Sequence, residues 1–378
     1  MVSLYIDLLI IVMKKFIYYL ISIIIFVLPI YIIIGVWGIF EINKNSENLF
    51  KTKKNLLFHK KYSNQLHHLR DSGKLRKTND YLFTNIIDNE NFKESLLIQG
   101  DSWAEQIIQV NLSKNLLRKF SIKNNINSTN AGTTSFAPSL MHLQYKILKK
   151  DFNINPDYLI IYVDQTDLGD EVCRYYKNKV YSKTGELKLV KREMYTRATY
   201  DYSKLYDYSK LYLLDSKLKT ILKFPYMKFN YSIKRNFVAF KNIINNGWSN
   251  RNISKCNFGQ IQKELVNYNP NSKKIFKQSI KEYLSYLMTE KNLKKILVIS
   301  FPHKNHLNGL YEVNISNYID EVFEKINDRR FSHLNFSKKI FTKKQVDSMY
   351  IEGDVASHLK DKYHSELFLK NILEKIKN

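Results

Sequence analysis

The chain has 378 residues, with 60 Lys and Arg against 35 Asp and Glu and a formal net charge of +25, a length that allows one large domain or two smaller ones. Such an excess would suit an anionic neighbour, but the basic residues are spread along the chain without the concentrated stripe of a nucleic-acid binder, and joint richness in Lys, Asn, Ile, Tyr and Phe is the mark of AT-rich coding. Cys173 and Cys256 form neither a CxxC nor a metal-spaced set; pairing in an oxidising compartment and two lone thiols stay equally open, and no metal or cofactor is implied.

Residues 1–15 form an amino-terminal flank in which Met13 offers a second start. Residues 16–40, FIYYLISIIIFVLPIYIIIGVWGIF, contain no charge and exceed the roughly 20 residues that a membrane-spanning helix needs. The run is too long for the apolar core of a cleaved signal peptide, and no small-x-small site follows it. It reads as a signal anchor, within which Pro29 is tolerable. Lys14 and Lys15 precede it and Lys44, Lys51, Lys53 and Lys54 follow it, so charge counting does not fix the topology. A single early span before a large body places that body outside the cytoplasm, in the periplasm or at the cell surface.

Residues 41–90 are polar and read as a juxtamembrane linker with some helix. The body, 91–378, then alternates strand and helix. LLIQ at 96–99 is a short strand, and WAEQIIQVNLSKNLLRKF a helix with Trp103, Ile107, Val110 and Leu117 close to one face. A strand near Ile126, a helix carrying Leu140, Leu143, Ile147 and Leu148, and the strand YLIIYV follow. Residues 175–270, rich in Tyr and Lys and holding the tandem YDYSKLYDYSKL, interrupt the rhythm as a mostly helical insertion. A helix over 272–290, the strand in KKILVISFPH and a closing helix in HSELFLKNILEKI complete the pattern. Alternation of this kind predicts an α/β three-layer sandwich around a mostly parallel sheet.

In such a sheet ligands bind at the carboxyl ends of the strands. Four polar stretches fall at those ends: Gly100-Asp101-Ser102, Asn130-Ala131-Gly132-Thr133, Asp164-Gln165-Thr166-Asp167, and Asp354 to Leu359, which contains His358. Each alone is an ordinary turn. His303 and His306 follow another strand end and read as solvated loop residues. Asp167, Asp170, Glu171 and Arg174 form a polar cluster that would bind substrate hydroxyls or pair internally.

In order and position, the four stretches resemble the blocks of the SGNH/GDSL hydrolase superfamily, over about residues 92–172 and 292–378. The resemblance implies a flavodoxin-like sheet and a serine mechanism. Ser102 would be the nucleophile, His358 its general base and Asp354 the group that orients the imidazole. The oxyanion hole would come from the Ser102 and Gly132 amides and the side chain at position 166. The chain departs from the family twice. Asp164 and Thr166 stand where the third block has Gly and Asn, and Asp354 and His358 are one residue further apart than Asp-x-x-His. Asp361 and His364 fit that literal spacing, but His364 would lie on the last helix, so His358 is preferred. Asp164, Asp167 and Arg174 are further candidates for substrate contact.

The implied chemistry is hydrolysis or transfer of an O-acyl group, acetyl above all, on a cell-surface polysaccharide. A lipid or lysophospholipid ester is the alternative substrate. A catalytically inactive, membrane-anchored glycan-binding or assembly protein is the alternative class, supported by the altered third block.

Overall fold

A computed structural model of the chain describes residues 2–50, 53–70, 77–191, 221–226, 229, 256, 258–338, 341–354 and 356–377. The chain divides into two compact units, Met1–Leu57 with Arg197–Ile253, and Phe58–Thr196 with Ser254–Asn378.

The first unit is built on α1 (Val2–Phe50), which continues through Pro29. Its stretch Ile11–Phe40 is long and apolar enough to cross a membrane, and its side chains are largely exposed, as those of a lipid-facing helix would be. Residues 221–226 pack along it: the Tyr31 hydroxyl donates to the Leu222 carbonyl at 2.5 Å, and Trp37 meets Phe224 edge to face. This fragment is helical. The tandem repeat at 200–211 and most of the expected insertion lie outside the described residues.

The second unit carries a six-stranded sheet in the order β1-β3-β2-β4-β7-β8. Its strands are β1 (Thr84–Ile87), β2 (Glu94–Gln99), β3 (Ile126–Asn130), β4 (Tyr158–Val163), β7 (Lys295–Ser300) and β8 (Phe331–Asn335). All neighbours are parallel except β1, which runs antiparallel on the edge beside β3. β4 and β7 are almost wholly buried and apolar, as strands covered on both faces must be. Counted from β2, the parallel strands follow the order 2-1-3-4-5 of the flavodoxin-like doubly wound fold, whose ligand crevice opens at the switch point between the first and third strands. Here that point lies between β2 and β4.

Three helices matter for the site. α3 (Ser102–Gln109) and α4 (Asn111–Asn124) follow β2, and α5 (Pro138–Phe152) follows β3. The single helix expected over 103–120 is therefore two. The chain turns extended at Val110, which has no side chain able to cap α4. Asp361 performs that task from the far end of the sequence, accepting from the Leu112 and Ser113 amides at 3.1 and 3.3 Å. Such a long-range cap leaves no local signal.

Residues before 91 are not all linker either. Leu66, Leu69, Leu82 and Phe83 are buried in the second unit, and β1 belongs to its sheet. Their apolar positions are too sparse to show a period. Beyond β4, a helical turn α6 (Asp167–Gly169) runs into a wider π-helical stretch, Asp170–Tyr175. A two-stranded hairpin follows, β5 (Lys179–Tyr181) and β6 (Leu187–Val190), so the described start of the insertion is not helical throughout. Cys173 and Cys256 are joined by a disulfide with Cα atoms 5.8 Å apart.

Candidate functional site

β2 ends at Gln99, and Gly100 turns the chain with φ of 150° into Asp101. Asp101 caps α3, accepting from the Trp103 amide at 2.9 Å. Ser102 is thereby the first residue of the helix, half-buried, at the switch point. Its own N–H has no partner among the described residues, as the first amides of a helix do not. Its hydroxyl donates to Asp101 Oδ2 at 3.1 Å. Trp103 anchors the turn from below by stacking on Phe301, 4.4 Å away, just beyond β7.

The loop after β3 rests on this helix. A Cβ at Gly132 would overlap the backbone of Ala104 and Glu105, so only glycine allows the approach. Glu105 fixes the loop from the helix side, accepting from the Thr134 amide and hydroxyl at 2.8 and 2.7 Å. Arg70, fully buried, fixes it from the other side. Its guanidinium donates to the Gly132 carbonyl at 2.6 Å, to the Asn130 carbonyl and side chain at 2.9 Å each, and to Thr84 at 3.0 Å. Burial lowers its pKa to about 10, so it stays charged at neutral pH.

His358 and Asp354 lie in contact. His358 Nδ1 and Asp354 Oδ2 are 2.5 Å apart, and the same carboxylate accepts from the His358 and Ala356 amides at 2.9 and 3.0 Å. Asp354 thus closes its own turn around the extra residue. The turn is possible because Ser357 takes a left-handed conformation, φ 58°. Burial opposes charge on Asp354, but the imidazole and the amide donors outweigh it and hold the carboxyl below its ordinary range. The loop is held against α3, where Gln106 donates to the Leu359 carbonyl at 2.6 Å. It is also held by His303. Nδ1 of His303 accepts from the Asn305 amide, so Nε2 carries the proton and donates to Ser357 at 2.9 Å. His303 is therefore a buried brace rather than a solvated loop residue.

His364 stands in different surroundings. It is fully buried, its Nδ1 lies 2.9 Å from the Ser113 hydroxyl, and burial lowers its pKa to about 4. Its expected partner Asp361 is the cap of α4.

The remaining candidates are placed differently from expectation. Thr166 donates through both its amide and its hydroxyl to Asp164 Oδ1, at 2.5 and 2.6 Å. The Gly132 amide donates to Asn130 Oδ1 at 3.1 Å. Asp164 and Asp167 are buried and face inward, and Arg174 pairs with Asp170 at 2.8 Å. Asp101, Asp164 and Asp167 bring their carboxylates within 4.8 Å of one another. Three buried charges at that spacing repel. Burial first, and the Asp164 carboxylate second, push the Asp101 and Asp167 carboxyls well up. Oδ2 of Asp164 and Oδ1 of Asp167 are buried with no hydrogen-bond partner among the described residues. The same three groups have the number and spacing of a cation site.

No hydrogen bond joins Ser102 Oγ to His358 Nε2 among the described residues. The His358 loop is tied to α3 through Gln106, Nε2 of His358 has no partner among the described residues, and rotation of one serine torsion redirects the hydroxyl from Asp101. Catalytic hydrogen bonds are often unmade before substrate binds.

No protein-family model matches the chain, and no curated protein matches it. Among solved structures the chain is similar to an acetyl xylan esterase (Est2A) from the rumen bacterium Butyrivibrio proteoclasticus, at 9% identity and a TM-score of 0.34. The overlap covers 77% of this chain and 65% of that one, less than two thirds of its length. Similarity at that level carries no argument, and the reading of the site rests on the residues themselves.

Proposed function

We propose that this chain is a serine esterase or O-acyltransferase of the SGNH type, held in the membrane by α1 and acting outside the cytoplasm on O-acyl groups of a polysaccharide. The observation that carries the reading is the Asp354–His358 pair, in a loop that Gln106 ties to the helix whose first residue is Ser102. In that arrangement His358 Nε2 takes the serine proton as Oγ attacks the ester carbonyl. The amino end of α3, with the Ser102 N–H, faces the developing oxyanion. His358 returns the proton to the leaving alkoxide. The acyl-serine is then cleaved by water, or by the hydroxyl of an acceptor, through the same base. Asp354 stays ionised throughout and supports the imidazolium. The disulfide fits an oxidising compartment.

The second reading, an inactive binding protein on this frame, is favoured by one observation: the Gly132 amide and Thr166 hydroxyl are already bonded internally. Hydrolysis of an acetyl ester by the full chain in uncharged detergent separates the two. The esterase reading expects His358→Ala to lower turnover by about 10²-fold or more and His364→Ala to act mainly on stability. Absence of turnover in the folded wild type would favour the binding reading, and equal loss in both variants would remove His358 from the role of base.

A further inference from the structure

The basic residues look dispersed in the sequence, but the fold gathers some of them. α8 (Pro270–Met288) and α10 (Ile315–Phe323) lie side by side on one face of the sheet. Between them runs a groove with a cavity volume of about 570 Å³, within the usual range for ligand sites. Its floor is apolar, formed by Leu284, Met288, Val322 and Ile326. Its walls carry Lys273, Lys274, Lys277, Lys281 and Lys325 against one carboxylate, Glu321. Glu321 is already bridged by Lys273 and Lys277, at 2.6 and 2.5 Å. Lys274, Lys281 and Lys325 have no acidic partner among the described residues, and all three are exposed. Unpaired ammoniums around an apolar floor attract an anionic ligand with carbon surface to bury.

A second cavity, of about 290 Å³, adjoins the first across α8, sharing Gln278, Lys281 and Ser285 with it. Its lining is of another kind: the rings of Tyr181, Tyr286 and His142, with Glu186 and Glu282. Rings flanked by carboxylate and amide groups suit sugars, whose apolar faces stack and whose hydroxyls donate. α8 leads into β7 through a short connection, so its Pro270 end lies towards the carboxyl edge of the sheet, the edge that carries Ser102.

The geometry points to this double groove as a binding site for a segment of acidic polysaccharide, its carboxylates on the three free lysines and its sugar rings on Tyr181 and Tyr286. The inference deepens the esterase reading by naming the substrate class, and rests on that reading only for what is done to the bound chain.

Binding to the full chain in uncharged detergent tests it, with a galacturonic acid oligomer as ligand. A neutral galactose oligomer and a single-stranded oligonucleotide of matched charge serve as comparisons. The acidic oligomer should bind at least about tenfold more tightly than the neutral one, and more weakly as salt rises. Combined Lys274→Ala, Lys281→Ala and Lys325→Ala should cost about tenfold or more in affinity without changing the melting temperature. Tyr181→Ala should weaken binding of the sugar but not of the oligonucleotide. Ser102→Ala should bind as the wild type does, which separates failure of the groove from failure of the catalytic reading. The proposal is overturned if the triple variant binds the acidic oligomer like the wild type, if the acidic oligomer does not bind, or if the oligonucleotide binds as tightly as the acidic oligomer.

Discussion

Replacing Arg70 with lysine keeps the charge and removes the fork that spans the site's supporting loop. Three guanidinium nitrogens reach Gly132, Asn130 and Thr84 at 2.6–3.0 Å, with a longer contact to the Asp80 carbonyl at 3.4 Å. A lysine ammonium places its donors on one atom and cannot serve acceptors that lie on different sides of a plane. At least two buried acceptors would lose their partner, at about 1–3 kcal/mol each. The sum, about 4 kcal/mol, is a large part of the 5–15 kcal/mol that holds a typical domain together. For a unit of this size it corresponds to a fall of roughly 10 °C in melting temperature. Thermal unfolding of the full chain in detergent, followed by intrinsic fluorescence, measures it directly. Activity should fall further than stability, because the Gly132 loop packs on the backbone of α3 at the serine. An Arg70→Lys variant that melts within about 1 °C of the wild type and keeps its turnover would refute this account of the loop.

Thr166→Val removes a hydroxyl bonded to Asp164. It should cost about 1 kcal/mol in stability and leave kcat nearly unchanged, whereas loss of a true oxyanion donor costs about 10²–10³ in kcat; a loss of that size would place the hydroxyl on the transition state. The disulfide closes a span of 83 residues, for which chain entropy gives about 4.5 kcal/mol, so Cys173→Ser with Cys256→Ser should lower the urea midpoint, and an unchanged midpoint would mean that the bond does not form. Burial pushes the Asp170 carboxyl up to about 7, against the pull of Arg174. In the unfolded chain it titrates near 4, so the folded state holds the extra proton and stability falls as pH rises from about 4 to 7. Asp170→Asn should flatten that slope in melting temperature, and an equally steep slope in the variant would assign it to other groups.

Much of the frame was legible because it is local. β2, β4 and β7 are apolar runs bounded by turn residues, and the helices facing them repeat on one stripe. The serine, the glycine and the Asp354–His358 pair fall at strand ends or in short loops, where residue type and order are enough to propose a site. What was hidden depends on distant partners. Arg70 stands in a polar stretch and becomes a structural group only when Asn130 and Gly132 fold around it. The break at Val110 needs Asp361, 249 residues away from Leu112. The inward turn of Thr166 depends on Asp164, whose carboxylate accepts a hydrogen bond from its hydroxyl. The lysines of the groove lie on two helices, so their convergence is a property of packing and not of spacing.

The central claim is that Ser102 is a nucleophile activated by His358. A fluorophosphonate probe tests this most directly, since it phosphonylates only a serine whose proton is being removed. Incubation with the intact membrane-bound chain, followed by peptide mass spectrometry, should place the adduct on Ser102. Labelling should vanish in Ser102→Ala, fall steeply in His358→Ala, and persist in a folded His364→Ala. An adduct elsewhere, or none on a folded wild type, would contradict the claim.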